Sequence, residues 1–283
     1  MKLDQTILQT LARNALAEDT GSGDATTLSV VPEELHVKGI IRTREECVCA
    51  GLPLVHAVFH ELDPAAIMED NVRDGDSCAT GSVLTRVTAN ARAILTGERI
   101  ALNFLQRLCG IATLTRKYVD ATLPHPTRIL DTRKTTPGLR MIEKYAVTRG
   151  GGQNHRFGLY DRVMIKDNHR LLANLEGPGG IRRAVEACRR HSPKLEIEVE
   201  ADTLEDVREA VQAGANFILL DNMDDDEMRE AVDIINGKAL VEASGGITLE
   251  RIPAIAQTGV DFISVGALTH SAPSIDIGLD LKI

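Results

Sequence analysis

The sequence predicts an α/β protein whose second half is a barrel of parallel strands, set beside a smaller mixed domain formed by the first hundred or so residues. Two observations predict the barrel: helices that close on glycine at a nearly constant interval, and a polar or glycine cluster where each following strand ends. A third, the crowding of cations into one stretch of an acidic chain, predicts what the barrel holds.

Leu204, Val207 and Val211 share a helix face closed by Gly214, Met228, Ala231 and Ile235 one closed by Gly237, and Leu249, Ile252 and Ile255 one closed by Gly259, at intervals of 23 and 22 residues. Glycine just past a helix adopts the left-handed cap without a Cβ penalty. Each cap leads into a short apolar run (217–220, 239–241, 262–265), and strands alternating with helices of this length mean βαβ units and a parallel sheet. Glu200, then Asp221 with Asn222, then Ser244-Gly245-Gly246, then Gly266 mark the strand ends, at steps of 21, 23 and 22 residues. Loops after barrel strands build active sites, and the last ones commonly hold phosphate. Residues 195–200, LEIEVE, alternate strictly and aim Glu196, Glu198 and Glu200 at one face. Inside a barrel those carboxylates need cations; the competing expectation is an edge strand with its polar face in water.

Residues 128–131 and 162–166 give two further strands, each leading to basic residues. Upstream, the strand-like run 37–43, the turn at Asp74-Gly75 and the helical pattern over 89–118 suggest an α+β domain. The expected division is 1–108 and 109–269, with a tail of about 270–283 packing with the first domain.

Residue 4 is Asp, 9 Gln and 13 Arg, so the start lacks the apolar stretch of a signal peptide, and no run of eighteen apolar residues occurs. A soluble cytoplasmic protein without a membrane segment is expected. Cys47, Cys49, Cys78, Cys109 and Cys188 are odd in number and lack CxxC spacing, which suggests buried reduced thiols rather than disulfides or zinc. A net charge of -9, aromatic content of 3% and no Trp argue against nucleic-acid binding. Between Arg128 and Arg170, however, ten Lys or Arg face four acids, leaving -15 on the remainder. Such a stretch suits the capture of a small polyanion in a cleft.

The most informative segments are ILDTRKTTPGLR at 129–140 and EKYAVTRGGGQNHRFGLYDRVMIKDNH at 143–169. Arg133 with Lys134, His155 with Arg156, and Lys166 at a strand end supply fixed cationic donors. A guanidinium matches a carboxylate in two parallel hydrogen bonds, whereas lysine offers a compact point charge. Two adjacent carboxylates on one ligand need both. Lys144 and Arg149 read as surface residues, and Gly150-Gly151-Gly152 as a turn.

These segments, followed by EVE, LLDNM, EASGGI and SVGALTHS, and preceded by EDTGSGDATT at 18–27 and by residues 99–113, resemble the quinolinate phosphoribosyltransferases, the carboxylating nicotinate-nucleotide pyrophosphorylases. The resemblance implies an incomplete, open α/β barrel with an N-terminal α/β sandwich domain, paired into homodimers with shared active sites. It implies Mg2+-dependent transfer of phosphoribosyl from phosphoribosyl pyrophosphate to quinolinate with loss of carbon dioxide. Arg133, Lys134, His155, Arg156 and Lys166 would line the pyridine dicarboxylate pocket, with Lys134 and Lys166 among the catalytic groups, and Thr132 would also bind substrate. Arg99 would reach the neighbouring subunit's site. Glu200 and Asp221 would lie near the ribose and its magnesium, directly or through water, Ser244, Gly245, Gly246 and Gly266 would form phosphate loops, and Ala267 would also bind substrate. A Schiff-base aldolase using Lys134 or Lys166 and a non-catalytic anion-binding paralogue are the rival expectations.

Overall fold

The computed structural model describes residues 1, 3–175 and 177–282. The first part of the chain runs α1 (Gln5–Thr20), α2 (Ala25–Val30), β1 (His36–Thr43), β2 (Cys47–Val48), α3 (Leu52–Leu62), β3 (Ile67–Asp70), β4 (Ser77–Cys78), β5 (Val83–Asn90) and α4 (Ala91–Ala121). Then come β6 (Arg128–Leu130), α5 (Arg140–Gly150), β7 (Val163–Ile165), α6 (Asp167–Asn174), α7 (Gly180–His191), β8 (Ile197–Ala201), α8 (Leu204–Ala213) and β9 (Phe217–Asp221). The chain closes with α9 (Asp225–Ile235), β10 (Leu240–Ser244), a 3₁₀ turn (Leu249–Arg251), α10 (Ile252–Gln257), β11 (Phe262–Ser264), α11 (Ala267–His270) and β12 (Ile277–Lys282).

Two compact units result, and neither is a single stretch: residues 1–116, 135–151 and 268–283 form one, and 117–134 with 152–267 the other. The segment 135–151 thus groups with the first unit, although sequence order alone assigns it to the barrel. Among the described residues no helix is long and apolar enough to cross a membrane.

The first unit is built on an antiparallel sheet ordered β12-β1-β5-β3, with β2 and β4 as a separate two-strand ladder. β12 lies beside β1, Leu279 opposite Ile41, so the end of the chain completes this sheet; Ile283 lies outside the described residues. Ala89 and Asn90 finish β5, and the Asn90 side chain accepts the Arg92 N–H, so α4 begins two residues later than its apolar pattern suggests. Segment 135–151 is held by Glu143, fully buried on α5, which accepts from the Thr136 N–H and hydroxyl and pairs with Arg107 at 2.9 Å.

In the second unit six parallel strands follow the order β6-β11-β10-β9-β8-β7. Each strand from β7 onward pairs with the next, and β11 returns to β6, which is the cyclic order of a barrel left unzipped between β6 and β7. The expected glycine caps are partly displaced: Gly214 closes α8 at φ 75°, whereas α9 is closed by Asn236 at φ 45° and α10 ends on Thr258 ahead of Gly259. β8 is no edge strand; it pairs on both sides and all five of its residues are buried. Glu196 precedes it and stays exposed, so two carboxylates enter the interior, not three.

Gly110 on α4 has no room for a side chain, because a Cβ there would run into the carbonyl of Pro273. Backbone cannot rotate away as a side chain does, so Gly110→Ala should lower stability by about 3 kcal/mol, the upper end for overpacking. A urea midpoint equal to that of the parent protein would contradict this packing.

Candidate active site

At the C-terminal ends of the barrel strands lies a cavity of about 300 Å³, the size that suits a small ligand. Thr132, Arg133 and Lys134 line it from the exit of β6, His155 and Arg156 from the next loop, and Met164 with Lys166 from β7. Glu200, Leu219 with Asp221, Glu242 with Ser244, and Ser264 follow from β8 to β11. The pairs two residues apart reflect the strand period: every second side chain points inward, one at the rim and one a step deeper. Deeper again, Phe217 and Phe262 meet with ring centroids 6.2 Å apart, and the Arg162 guanidinium stacks 4.0 Å over Phe217.

The cationic loops are fixed by short local bonds. Gln153 bridges alongside β6, its N–H donating to the Ile129 carbonyl and its carbonyl accepting from Asp131 N–H. The buried Asp131 carboxylate accepts the His155 N–H at 2.9 Å, and His155 Nδ1 accepts the Arg156 N–H at 2.7 Å. That acceptor role leaves the proton of a neutral His155 on Nε2. Nε2 in turn faces Glu198 Oε2 at 3.0 Å and Glu242 Oε2 at 3.5 Å. Arg156 donates through Nη1 to the Arg162 carbonyl at 3.1 Å, which aims its guanidinium. Burial and the neighbouring Arg133 pull Arg156 below the ordinary arginine value, with the charges of Glu198 and Asp161 opposing.

On the opposite wall Lys166 Nζ donates to Glu200 Oε2 at 2.7 Å. The carboxylates of Glu200, Asp202 and Asp221 come within 4.8 Å of one another. Burial, then the charges of Glu200 and Asp202, raise the Asp221 carboxyl above its usual range, with Lys166 and Lys134 opposing. Three crowded carboxylates are the donor set a hard divalent cation takes. Next to them the backbone turns through Asn222 at φ 57°, Gly245 at φ 90° and Gly246 at φ 57°. A Cβ on Gly245 would strike the Asn222 side chain, so this close approach requires glycine.

Residues 24–109 match the family model for the N-terminal domain of quinolinate phosphoribosyl transferase, and residues 111–280 match that for its C-terminal domain. The chain belongs to this family. It is 43% identical to a probable nicotinate-nucleotide pyrophosphorylase [carboxylating] of Bacillus subtilis over 98% of this chain and 94% of the relative. With the chloroplastic nicotinate-nucleotide pyrophosphorylase [carboxylating] of Arabidopsis thaliana it shares 41% identity over 97% of this chain and 82% of that one. Among solved structures, the nicotinate-nucleotide pyrophosphorylase of Francisella tularensis superposes with a TM-score of 0.93 at 38% identity, covering 99% of this chain and 98% of that one.

Of the residues expected to bind substrate, Thr132, Arg133, Lys134, His155, Arg156, Lys166, Glu200, Asp221 and Ser244 converge on the one cavity. Gly245, Gly246 and Gly266 lie in the loops after β10 and β11, Ala267 opens α11, and Arg99 is exposed on α4 in the first unit. The cationic stretch 128–170 divides. Arg133, Lys134, Arg156 and Lys166 reach the cavity, while Arg170 pairs with Asp202 and Asp206. Lys144 is fully buried, not a surface residue, because α5 is covered on that face. Arg149 stacks 4.9 Å over the Tyr145 ring. Met164, Leu219, Glu242, Ser264 and Asp202 were not foreseen. Stepping back two residues from each strand-end cluster would have found the first four.

Asp221 has a folded-state pKa above its unfolded one, so its ionised form costs stability at neutral pH, and the cost disappears as pH falls through the carboxylate range. Asp221→Asn should therefore melt at or above the parent temperature near neutral pH, with the advantage fading in acid. Thermal melts across that range check this, and a variant less stable at neutral pH would contradict it.

Proposed function

We propose that this chain transfers the phosphoribosyl group of phosphoribosyl pyrophosphate to the nitrogen of quinolinate, with loss of carbon dioxide, giving nicotinate mononucleotide and pyrophosphate for NAD biosynthesis. The observation that carries it is the meeting of Arg133, Lys134, Arg156 and Lys166 with Glu200 and Asp221 in one cavity of a quinolinate phosphoribosyl transferase barrel. Cations on one wall suit a dicarboxylate, and anions on the other suit a ribose that becomes cationic. An aldolase lysine is activated by apolar or like-charged surroundings, whereas Lys166 is bonded to Glu200.

Arg133 and Arg156 hold the two carboxylates and present the ring nitrogen. As the bond from ribose C1 to pyrophosphate loosens, Glu200 and Asp221 stabilise the oxocarbenium-like centre, and Lys134 and Lys166 meet charge on substrate and leaving group. N–H groups of the loops at Ser244, Gly245, Gly246, Gly266 and Ala267 cradle phosphate. Once N1 is ribosylated, the cationic ring receives the electrons of the C2 carboxylate as carbon dioxide leaves. Magnesium is the metal we propose; Glu200 and Asp221, with Asp202, would hold it directly or through water, and it would neutralise pyrophosphate charge.

We further propose a homodimer whose sites are completed by Arg99 of the partner chain, supported by the exposure of Arg99 on α4. The cytoplasm is the proposed compartment, supported by the five free cysteines.

Incubation with quinolinate, phosphoribosyl pyrophosphate and magnesium should yield nicotinate mononucleotide and carbon dioxide together; folded protein that makes neither refutes the assignment. Arg133→Ala or Arg156→Ala should each cost about 2 kcal/mol or more of transition-state binding, roughly thirty-fold in kcat/KM. Near-parental turnover would remove that residue from the site. Mixing inactive Arg99→Ala and Lys166→Ala chains should restore part of the activity through hybrid dimers. With chain exchange verified, no recovery would refute a site shared between subunits.

A further inference from the structure

Glu242 has no part in the steps above, yet it is a fully buried carboxyl on the cavity wall. Neither of its oxygens makes a hydrogen bond of ordinary geometry, although Glu198, His155 and the Ser264 hydroxyl surround it. The nearby donors favour Glu198: His155 Nε2 lies 3.0 Å from Glu198 against 3.5 Å from Glu242, and the Arg162 guanidinium brings its Nη1 to 3.6 Å from Glu198. Burial, then the Glu198 charge, push the Glu242 carboxyl well above the usual range. Two adjacent buried carboxyls with the donor and the guanidinium gathered on one of them divide into one anion and one acid.

The proposed reaction leaves one atom to be supplied. When the bond from C2 to its carboxylate breaks, the electron pair stays on C2 beside the cationic ring nitrogen, and C2 needs a proton. Arg133, Arg156, Lys134 and Lys166 serve as cations against the substrate's charges, and Glu200 and Asp221 face the ribose. Glu242 is the remaining acid on the cavity wall.

We infer that Glu242 meets the bound pyridine acid as an undissociated carboxylic acid and delivers the proton that replaces the departing carbon dioxide at C2. The inference rests on the quinolinate assignment. The Glu242 O–H bond breaks, the C2–H bond forms, carbon dioxide leaves with no change in electron count, and the resulting carboxylate recovers a proton from water after product release. His155 is then a positioning residue, directed at Glu198 and keeping the anion of the pair there.

Glu242→Gln preserves shape and a neutral hydrogen-bonding group but carries no acidic proton. It should bind quinolinate within about three-fold of the parent by calorimetry, while kcat falls about a hundred-fold or more, the range for a lost general acid. Near-parental kcat overturns the inference, and so does loss of quinolinate binding alongside turnover, which would make Glu242 a binding group. The parent enzyme gives a second test that needs no variant: turnover in an equal mixture of H2O and D2O, reading hydrogen against deuterium at C2 of the product. A sequestered single-proton donor passes on the isotope it carries, giving a ratio close to that of the medium. A rotating ammonium, Lys134 or Lys166, selects hydrogen and gives a clear excess, which would overturn the inference even where Glu242→Gln does not fold. If the parent makes no nicotinate mononucleotide, the quinolinate assignment itself has failed.

Discussion

Burying the Glu198 carboxylate inside the barrel is the constraint around which the site is arranged. A carboxylate with no exposed surface is tolerable only beside fixed donors or charges, and His155 Nε2, hydrogen-bonded to Oε1 at 3.3 Å, with the Arg162 guanidinium 3.6 Å from Oε2 supply them. His155 can face inward only because its backbone N–H is taken by Asp131 and its Nδ1 by Arg156. Asp131 in turn sits just after β6, one bridge away from Gln153. The hydrogen bond from His155 to Glu198 therefore ties β8 to the loop that presents Arg156 and to the strand exit that presents Arg133 and Lys134. A guanidinium held this way loses little further freedom on meeting a carboxylate, which is where preorganised sites gain affinity.

The opposite wall follows the reverse logic. Glu200, Asp202 and Asp221 are closer together than their own charges favour, and Lys166, Lys134 and Arg170 offset them. Such crowding is unfavourable to the empty fold and favourable to a bound cation or cationic transition state, so stability is given up where function needs charge. The left-handed turn at Asn222, Gly245 and Gly246 adjoins this wall and brings backbone close to it.

Much of this was legible in the sequence, and for one reason. Parallel strands have a period of two and the loops that follow them carry the chemistry, so a spacing of 21 to 23 residues between Glu200, Asp221, Ser244 and Gly266 located the rim. The step below the rim was readable by the same rule but is occupied by Met164, Leu219, Glu242 and Ser264, residue types that announce core as readily as site. What the sequence could not yield was long-range pairing. Nothing local says that Lys144 is buried, that Glu196 escapes the barrel while Glu198 enters it, or that Arg170 neutralises Asp202 rather than facing ligand. Burial of a charge depends on partners far along the chain, whereas alternation and capping are local.

Charge balance explains why a neutral Glu242 belongs in this cavity. With Asp202 taken up by Arg170, the four cations Arg133, Lys134, Arg156 and Lys166 outnumber the two carboxyl groups of Glu200 and Asp221 by two, the number of carboxylates on a pyridine dicarboxylate. The Glu198 carboxylate lies below and already has the His155 hydrogen bond and the Arg162 charge. An ionised Glu242 would remove half of that excess at the wall where the substrate's carboxylates are to be held, in surroundings where charges are poorly screened. Keeping Glu198 as the anion protects Glu242 from ionising. One buried carboxylate thus sets the geometry of the arginines and the protonation state of its neighbour.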